Sequence, residues 1–257
     1  MSTTPGEPHG RTWATMLALG FLVASLIAVA VGVNRVAGSN SGAGLPTATP
    51  APSVSASPSA QPTATPSEVA FADCTTASFG NPLGPLNPPP DVHTYKAAPS
   101  MTINTAKLYQ LTIATAKGTM VACLQPGLAP TTVNAVVTMA RNHFYDGLKF
   151  HRVVADFVIQ GGDPKGDGTG GPGFTFKDEP VLNTYVDGAL AMANSGANTN
   201  GSQFFVCLPK AAGGAPGQCS TLPHQYNLFG KLQSGLDVAA KIAVGDVMTT
   251  VTVREQT

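Results

Sequence analysis

Charged side chains are scarce in this sequence: they make up 11% of 257 residues, with fourteen basic and fourteen acidic groups that cancel. That balance leaves no basic excess to neutralise phosphates, which excludes nucleic-acid binding as the main function. Tryptophan occurs once, as Trp13, inside an apolar N-terminal run. Cysteine occurs four times, never with CxxC spacing, so neither a zinc site nor a redox dithiol is indicated. The five histidines are scattered, and no metal or organic cofactor is implied.

What is present is strong regional contrast. From Thr12 to Asn34, "TWATMLALGFLVASLIAVAVGVN" carries no charge and is long enough as a helix to span about 30 Å of bilayer hydrocarbon. It reads as a transmembrane helix or uncleaved signal anchor behind a short tail, residues 1–11. The alternative is a cleaved secretory signal, because Ala28-Val29-Ala30 resembles a small-residue cleavage site. Either way the chain is exported. Residues 35–91 read as a linker, since "AGSNSGAGLPTATPAPSVSASPSAQPTATPSE" buries too little apolar area to offset chain entropy and is extended by its prolines. A tether that holds a domain off a bilayer suits the outer face of the cell membrane, so the folded part, residues 92–257, is expected outside the cytoplasm.

An even cysteine count fits an oxidising compartment. Three pairings are open. Cys207 and Cys219 flank the Gly/Pro-rich "LPKAAGGAPGQ", which favours that bridge and leaves Cys74 with Cys123; four free buried thiols are the alternative.

Within the folded part, "LYQLTIATA" and "TMVACLQP" read as two strands joined at Lys117-Gly118. "APTTVNAVVTMARNHF" reads as a helix, with Pro130 at its start and Val133, Val136, Val137 and Ala140 at helical spacing. Short β-rich runs follow between glycine turns: "FHRVV", "DFVIQGG", "FTFKDE", "GALAMAN", "SQFFVCL" and "YNLFGKL". "GLDVAAKIAVGD" reads as a second, short helix, and "TTVTVRE" closes the chain as a strand. Many short strands at this spacing suggest a barrel or sandwich whose open ends the helices cover. Alternation in "GSQFFVCL" places Gln203, Phe205 and Cys207 on one face and Phe204 and Val206 on the other, so one face pairs an amide with an aromatic ring. The polar "MANSGANTNGSQFF" reads as an exposed binding loop or a plain turn.

One residue resists a purely structural account. Arg152 lies in "FHRVVADFVIQGGDP", an apolar run where a guanidinium is expensive to bury. It is either paired with an acid, Asp156 and Asp163 being near in sequence, or held at a surface for use.

The stretches "FYDGLKFHRVVADFVIQGGDPKGDGTGG", "GALAMANSGANTNGSQFFVCL" and "YNLFGKL" resemble the cyclophilins, peptidyl-prolyl isomerases, from about Thr102 to the carboxyl terminus. The resemblance implies an all-β fold, a closed eight-stranded antiparallel barrel capped by two α-helices, with a proline pocket on its outer wall. It implies proline-containing polypeptides as substrates and catalysis by Arg152, Phe157 and Gln160. Phe157, Val158, Phe205 and Leu222 match the proline pocket, with Met192 nearby and Tyr226 at its edge. Gln160, Ala193, Asn194 and Gln203 match contacts to the peptide backbone. The sequence departs from the pattern in places: Val158 stands where many members carry Met, and Tyr226 where many eukaryotic members carry His. The tryptophan familiar near Thr221 is absent, which argues against strong cyclosporin binding.

Competing motifs fail on context. "GDGTGGPG" lacks the Lys-Ser/Thr and the helix of a phosphate loop. Asp163 and Asp167 lack calcium-loop spacing, and the sequon Asn200-Gly201-Ser202 falls inside the resembling motif. Two function classes remain: an isomerase acting on exported proteins, and a catalytically weak proline-peptide-binding chaperone or scaffold.

Overall fold

The computed structural model describes residues 69–211 and 217–257, all within one compact unit. The expected tail, the apolar run 12–34 and the linker up to residue 68 lie outside the described residues. Among the described residues no helix is long and apolar enough to cross a membrane.

The elements are β1 (Phe79–Pro82), β2 (Tyr109–Thr115), β3 (Gly118–Leu124), α1 (Pro130–Arg141), β4 (Arg152–Val154), β5 (Val158–Gly161), β6 (Ala189–Met192), β7 (Phe204–Cys207), β8 (Leu228–Ser234), α2 (Leu236–Ala239) and β9 (Met248–Gln256), with a 3-10 turn at Gln218–Thr221. The β2–β3 hairpin closes at Thr115 opposite Gly118. Proline at the first turn of α1 costs no hydrogen bond. Val133, Val136, Val137 and Ala140 are all buried, as their spacing predicts. The second helix is shorter than expected, a single turn. "FTFKDE" forms no strand; only Phe176 bridges to Asn200, because Asp178 and Glu179 turn to other work, accepting from Asn200 and from the start of α1.

The sheet is antiparallel and nine-stranded, in the order β1-β9-β2-β3-β8-β6-β7-β5-β4, and it does not close. This corrects the expectation of a closed eight-stranded barrel, and the reason lies on the free edge of β9. Its C-terminal half is taken by β1, with Phe79 opposite Gln256. Its start meets only the loop before β4, through a single Lys149–Val247 bridge and hydrogen bonds such as Met248 N to Leu148 O at 2.9 Å. Two apolar clusters result. One fills the interior, with Leu111, Ile113, Met120, Phe150 and Phe204 among its fully or almost fully buried members. The other lies on the outer wall of β5–β8, built from Val158, Tyr185, Ala189, Ala191, Phe205, Cys207, Cys219 and Leu228. Alternation along β7 assigns Phe204 and Val206 to the first and Phe205 and Cys207 to the second, as the sequence pattern requires.

The linker expected to run to residue 91 ends earlier. From Val69 onward the chain straps across the sheet, and its prolines, which have no N–H to give a ladder, are offset by side-chain amides of the body. Gln125 accepts from Ala72 N at 2.8 Å and donates to Ala70 O at 3.0 Å. Asn142 does the same for Leu86, at 2.8 and 3.2 Å, and Asn183 exchanges both bonds with Val69. Asn134 accepts from Thr102 N at 2.8 Å and donates to Ser100 O at 3.0 Å. The Cys74–Cys123 disulfide fastens the strap to β3, while Cys207–Cys219 joins β7 to the 3-10 turn. A composition rule counts apolar area and misses this kind of anchoring.

Candidate active site

On the outer wall, an apolar cavity of about 250 Å3 is lined by Arg152, Phe157, Val158, Gln160, Ala193, Asn194, Phe205, Leu222 and Tyr226. Adjacent strands place them. Arg152 on β4 lies opposite Gln160 on β5, and Gln160 lies opposite Phe205 on β7. Phe205 meets the Tyr226 ring edge-on, with centroids 5.6 Å apart. Leu222 is set by the 3-10 turn, its N–H donating to Cys219 O at 2.9 Å.

The acid-paired alternative for Arg152 is not what the structure shows: among the described residues no ion pair includes it. Asp156 instead accepts the N–H of Ala211 at 2.7 Å. Asp163, 1% exposed, accepts the N–H groups of Lys165, Asp167 and Gly168 at 2.8, 3.1 and 2.6 Å. Burial alone would raise its pKa, but the combined N–H groups of Lys165, Gly168, Gly170 and Asp167 hold it below the ordinary carboxylate value. The exposed guanidinium of Arg152 sits 5.8 Å from the centroid of the Phe157 ring and donates to Gln160 Oε1 at 3.3 Å.

That bond begins a relay. Gln160 Nε2 donates to Gln203 Oε1 at 3.0 Å, and Gln203 Nε2 donates to the carbonyls of Gly168 and Gly170 at 3.0 and 2.8 Å. Carbonyls only accept, so they fix the direction of every amide in the chain and leave Gln160 presenting oxygen to arginine. Gln203 therefore lies beside the cavity and positions Gln160. It also lines a second, more polar groove of about 640 Å3 that shares Gln160, Ala193 and Asn194 with the apolar cavity. Together the two hollows form one continuous track with an apolar end.

Met192 does not belong to it. It is fully buried in the interior cluster, because β6 directs Ala189 and Ala191 outward and Leu190 and Met192 inward. Two contributors were not foreseen. Tyr185 is buried, donates to Tyr226 O at 2.8 Å and accepts from Tyr226 N at 3.0 Å, so it holds the pocket edge; burial pushes its phenol up to about 12. Asp163 organises the loop whose carbonyls anchor Gln203. Neither gives a local sequence signal, since each acts on backbone distant in the chain or in a turn. Among the described residues no group of three or more His, Cys, Asp or Glu converges as a metal site requires.

The arrangement is an antiparallel sheet carrying an apolar pocket rimmed by a guanidinium and amides. Residues 110–256 match the family described as cyclophilin type peptidyl-prolyl cis-trans isomerase/CLD. A peptidyl-prolyl cis-trans isomerase of Helicobacter pylori is 42% identical over 153 residues, covering 57% of this chain and 87% of that protein. A cyclophilin type isomerase of Cryptosporidium parvum, solved by crystallography, is 26% identical with a TM-score of 0.49, over 57% of this chain and 97% of that one. The chain belongs to the cyclophilin-type peptidyl-prolyl cis-trans isomerases.

Proposed function

We propose that Arg152 catalyses rotation of X-Pro bonds by donating to the proline nitrogen of the twisted amide, with the proline ring in the cavity between Phe157, Val158, Phe205 and Leu222. Amide resonance sets a barrier of about 18–20 kcal/mol, and no bond need be made or broken to cross it. A planar amide nitrogen accepts hydrogen bonds poorly. Twisted, it regains its lone pair and accepts well, so a guanidinium beside it binds the transition state in preference to either ground state. The apolar walls disfavour the polar planar form, and Gln160, Ala193, Asn194 and Gln203 hold one side of the peptide while the other turns.

The observation that carries this reading is an arginine with no acidic partner among the described residues, set at the rim of an apolar pocket by an amide whose direction is fixed. A charge-assisted hydrogen bond of about 1.5–3 kcal/mol corresponds to roughly 10- to 150-fold in rate. In a protease-coupled proline-peptide assay, Arg152→Ala in the full chain should lower kcat/KM by that factor and leave peptide affinity nearly intact. Unchanged catalysis removes the arginine from the mechanism; peptide binding without turnover in the parent protein selects the chaperone or scaffold function instead. The absence of an indole near Thr221 argues against strong cyclosporin binding.

The substrates we propose are exported proteins, with the chain held on the membrane by residues 12–34 and the isomerase domain outside the cytoplasm. The uncharged run and the two disulfides support this. Protease added to intact cells should release the domain, and complete protection would reverse the topology.

A further inference from the structure

The polar groove has one wall held between the body and the N-terminal strap. The loop from Asp163 to Gly170 is tied down by the Asp163 carboxylate and by Gln203. The next part of the wall, Pro172, Gly173 and Phe174, carries no strand or helix: Gly201 lies close against Pro172, Phe174 packs on the interior cluster, and Tyr95 on the N-terminal strap braces it from the other side. Tyr95 N donates to Pro172 O at 2.8 Å. The Tyr95 carbonyl lies where a side chain at Gly173 would begin, and Gly173 has φ +88°, so only glycine admits the strap at this distance. The Tyr95 ring stands edge-on to Phe174 at 5.8 Å and packs against Phe144 at 6.2 Å. Its hydroxyl accepts from Asn142 Nδ2 at 3.2 Å, on the same amide that clasps Leu86. Burial raises the phenol pKa against the opposing effect of that bond, so the group stays neutral.

We infer that Tyr95 is a positioning residue for substrate: it fixes the Pro172–Phe174 wall and thereby the part of the groove that receives the peptide ahead of the X-Pro bond. Tyr95 precedes residue 110, where the match to the family begins, so this support comes from outside the matched region. The inference rests on the isomerase reading for which end of the peptide fills the groove. It assigns Tyr95 no part in the proline pocket, whose lining residues it does not touch.

The test uses the full chain and two ligands: a blocked peptide with three residues before the proline, and the dipeptide Ala-Pro, too short to fill both hollows. Affinities are read by NMR titration and isomerisation by exchange spectroscopy. Tyr95→Ala should weaken the long peptide 5- to 20-fold in Kd and KM, leave kcat within twofold, and leave Ala-Pro unchanged. Tyr95→Phe, which keeps the ring against Phe174, should stay within twofold for both ligands. Equal weakening of both ligands, or no change in a folded Tyr95→Ala protein, overturns the assignment. Should Tyr95→Ala not fold, Tyr95→Leu carries the same test, with at least a threefold loss for the long peptide alone. Because Kd reads the groove without turnover, a parent protein that binds both ligands and isomerises neither would refute the enzymatic reading while leaving the role of Tyr95 measurable.

Discussion

Replacing Cys207 and Cys219 together by alanine separates stability from substrate binding in a way the structure makes quantitative. The bridge spans 12 residues in sequence, and the chain-entropy relation gives a loss of about 3 kcal/mol at 25 °C. The same relation applied to Cys74–Cys123, separated by 49, gives about 4 kcal/mol. The larger stability loss belongs to the bridge remote from the proline pocket. The smaller belongs to the bridge whose Cys219 carbonyl receives the N–H of Leu222, a pocket wall. Both cysteines of that bridge are fully buried beside Val158 and Phe205, so no other covalent tie holds the 3-10 turn against β7. Urea unfolding and isomerase kinetics on the two double variants should therefore rank in opposite orders. Cys74→Ala with Cys123→Ala loses more stability and keeps its KM; Cys207→Ala with Cys219→Ala loses less and raises KM several-fold. If KM rises for the first pair and not for the second, the account of how Leu222 is held is wrong.

Gln203→Leu breaks the relay at two carbonyl anchors and one amide, and three bonds at about 0.5–1.5 kcal/mol each correspond to a fall in kcat/KM of roughly 10- to 2000-fold. In that background Arg152→Ala should cost less than in the parent, a coupling that a double-mutant cycle reads directly. Asp163 has a depressed pKa in the folded protein, so its contribution to stability is complete above the unfolded value of about 3.9 and is lost as pH falls through the folded value. Asp163→Asn should remove that part of the acid limb in a pH series of thermal unfolding and cost about 2–3 kcal/mol at neutral pH, where charge-assisted bonds to backbone N–H groups are replaced by neutral ones.

Periodicity located what depends on neighbours in sequence. The β2–β3 hairpin, the apolar face of α1 and the two faces of β7 follow from alternation or helical spacing, and the structure has them where those patterns place them. Of the residues the resemblance names, all but Met192 and Gln203 line one cavity, and parity along β6 sends Met192 inward. What was not legible depends on partners far along the chain. The strap reads as tether because its satisfaction comes from Gln125, Asn134, Asn142 and Asn183, none of which advertises a long-range role. The open edge of the sheet could not be foreseen without β1, and β1 lay within the stretch read as linker. Tyr185 and Asp163 were missed because a buried tyrosine and a glycine-loop aspartate look the same in sequence whether or not they support a site.

The pairing of β1 with β9 joins residues far apart in the order of synthesis. Until Met248–Gln256 leaves the ribosome, Phe79–Pro82 has no strand to lie on. The amides that receive the segments on either side of it are likewise downstream, at positions from 125 to 183. A nascent chain thus carries β1 undocked until its last partner strand is made, whereas the partners of Tyr95, from Asn142 to Phe174, are synthesised well before that strand. A partly made copy would therefore have the Tyr95-braced groove wall before Phe205, Leu222 and Tyr226 complete the proline pocket.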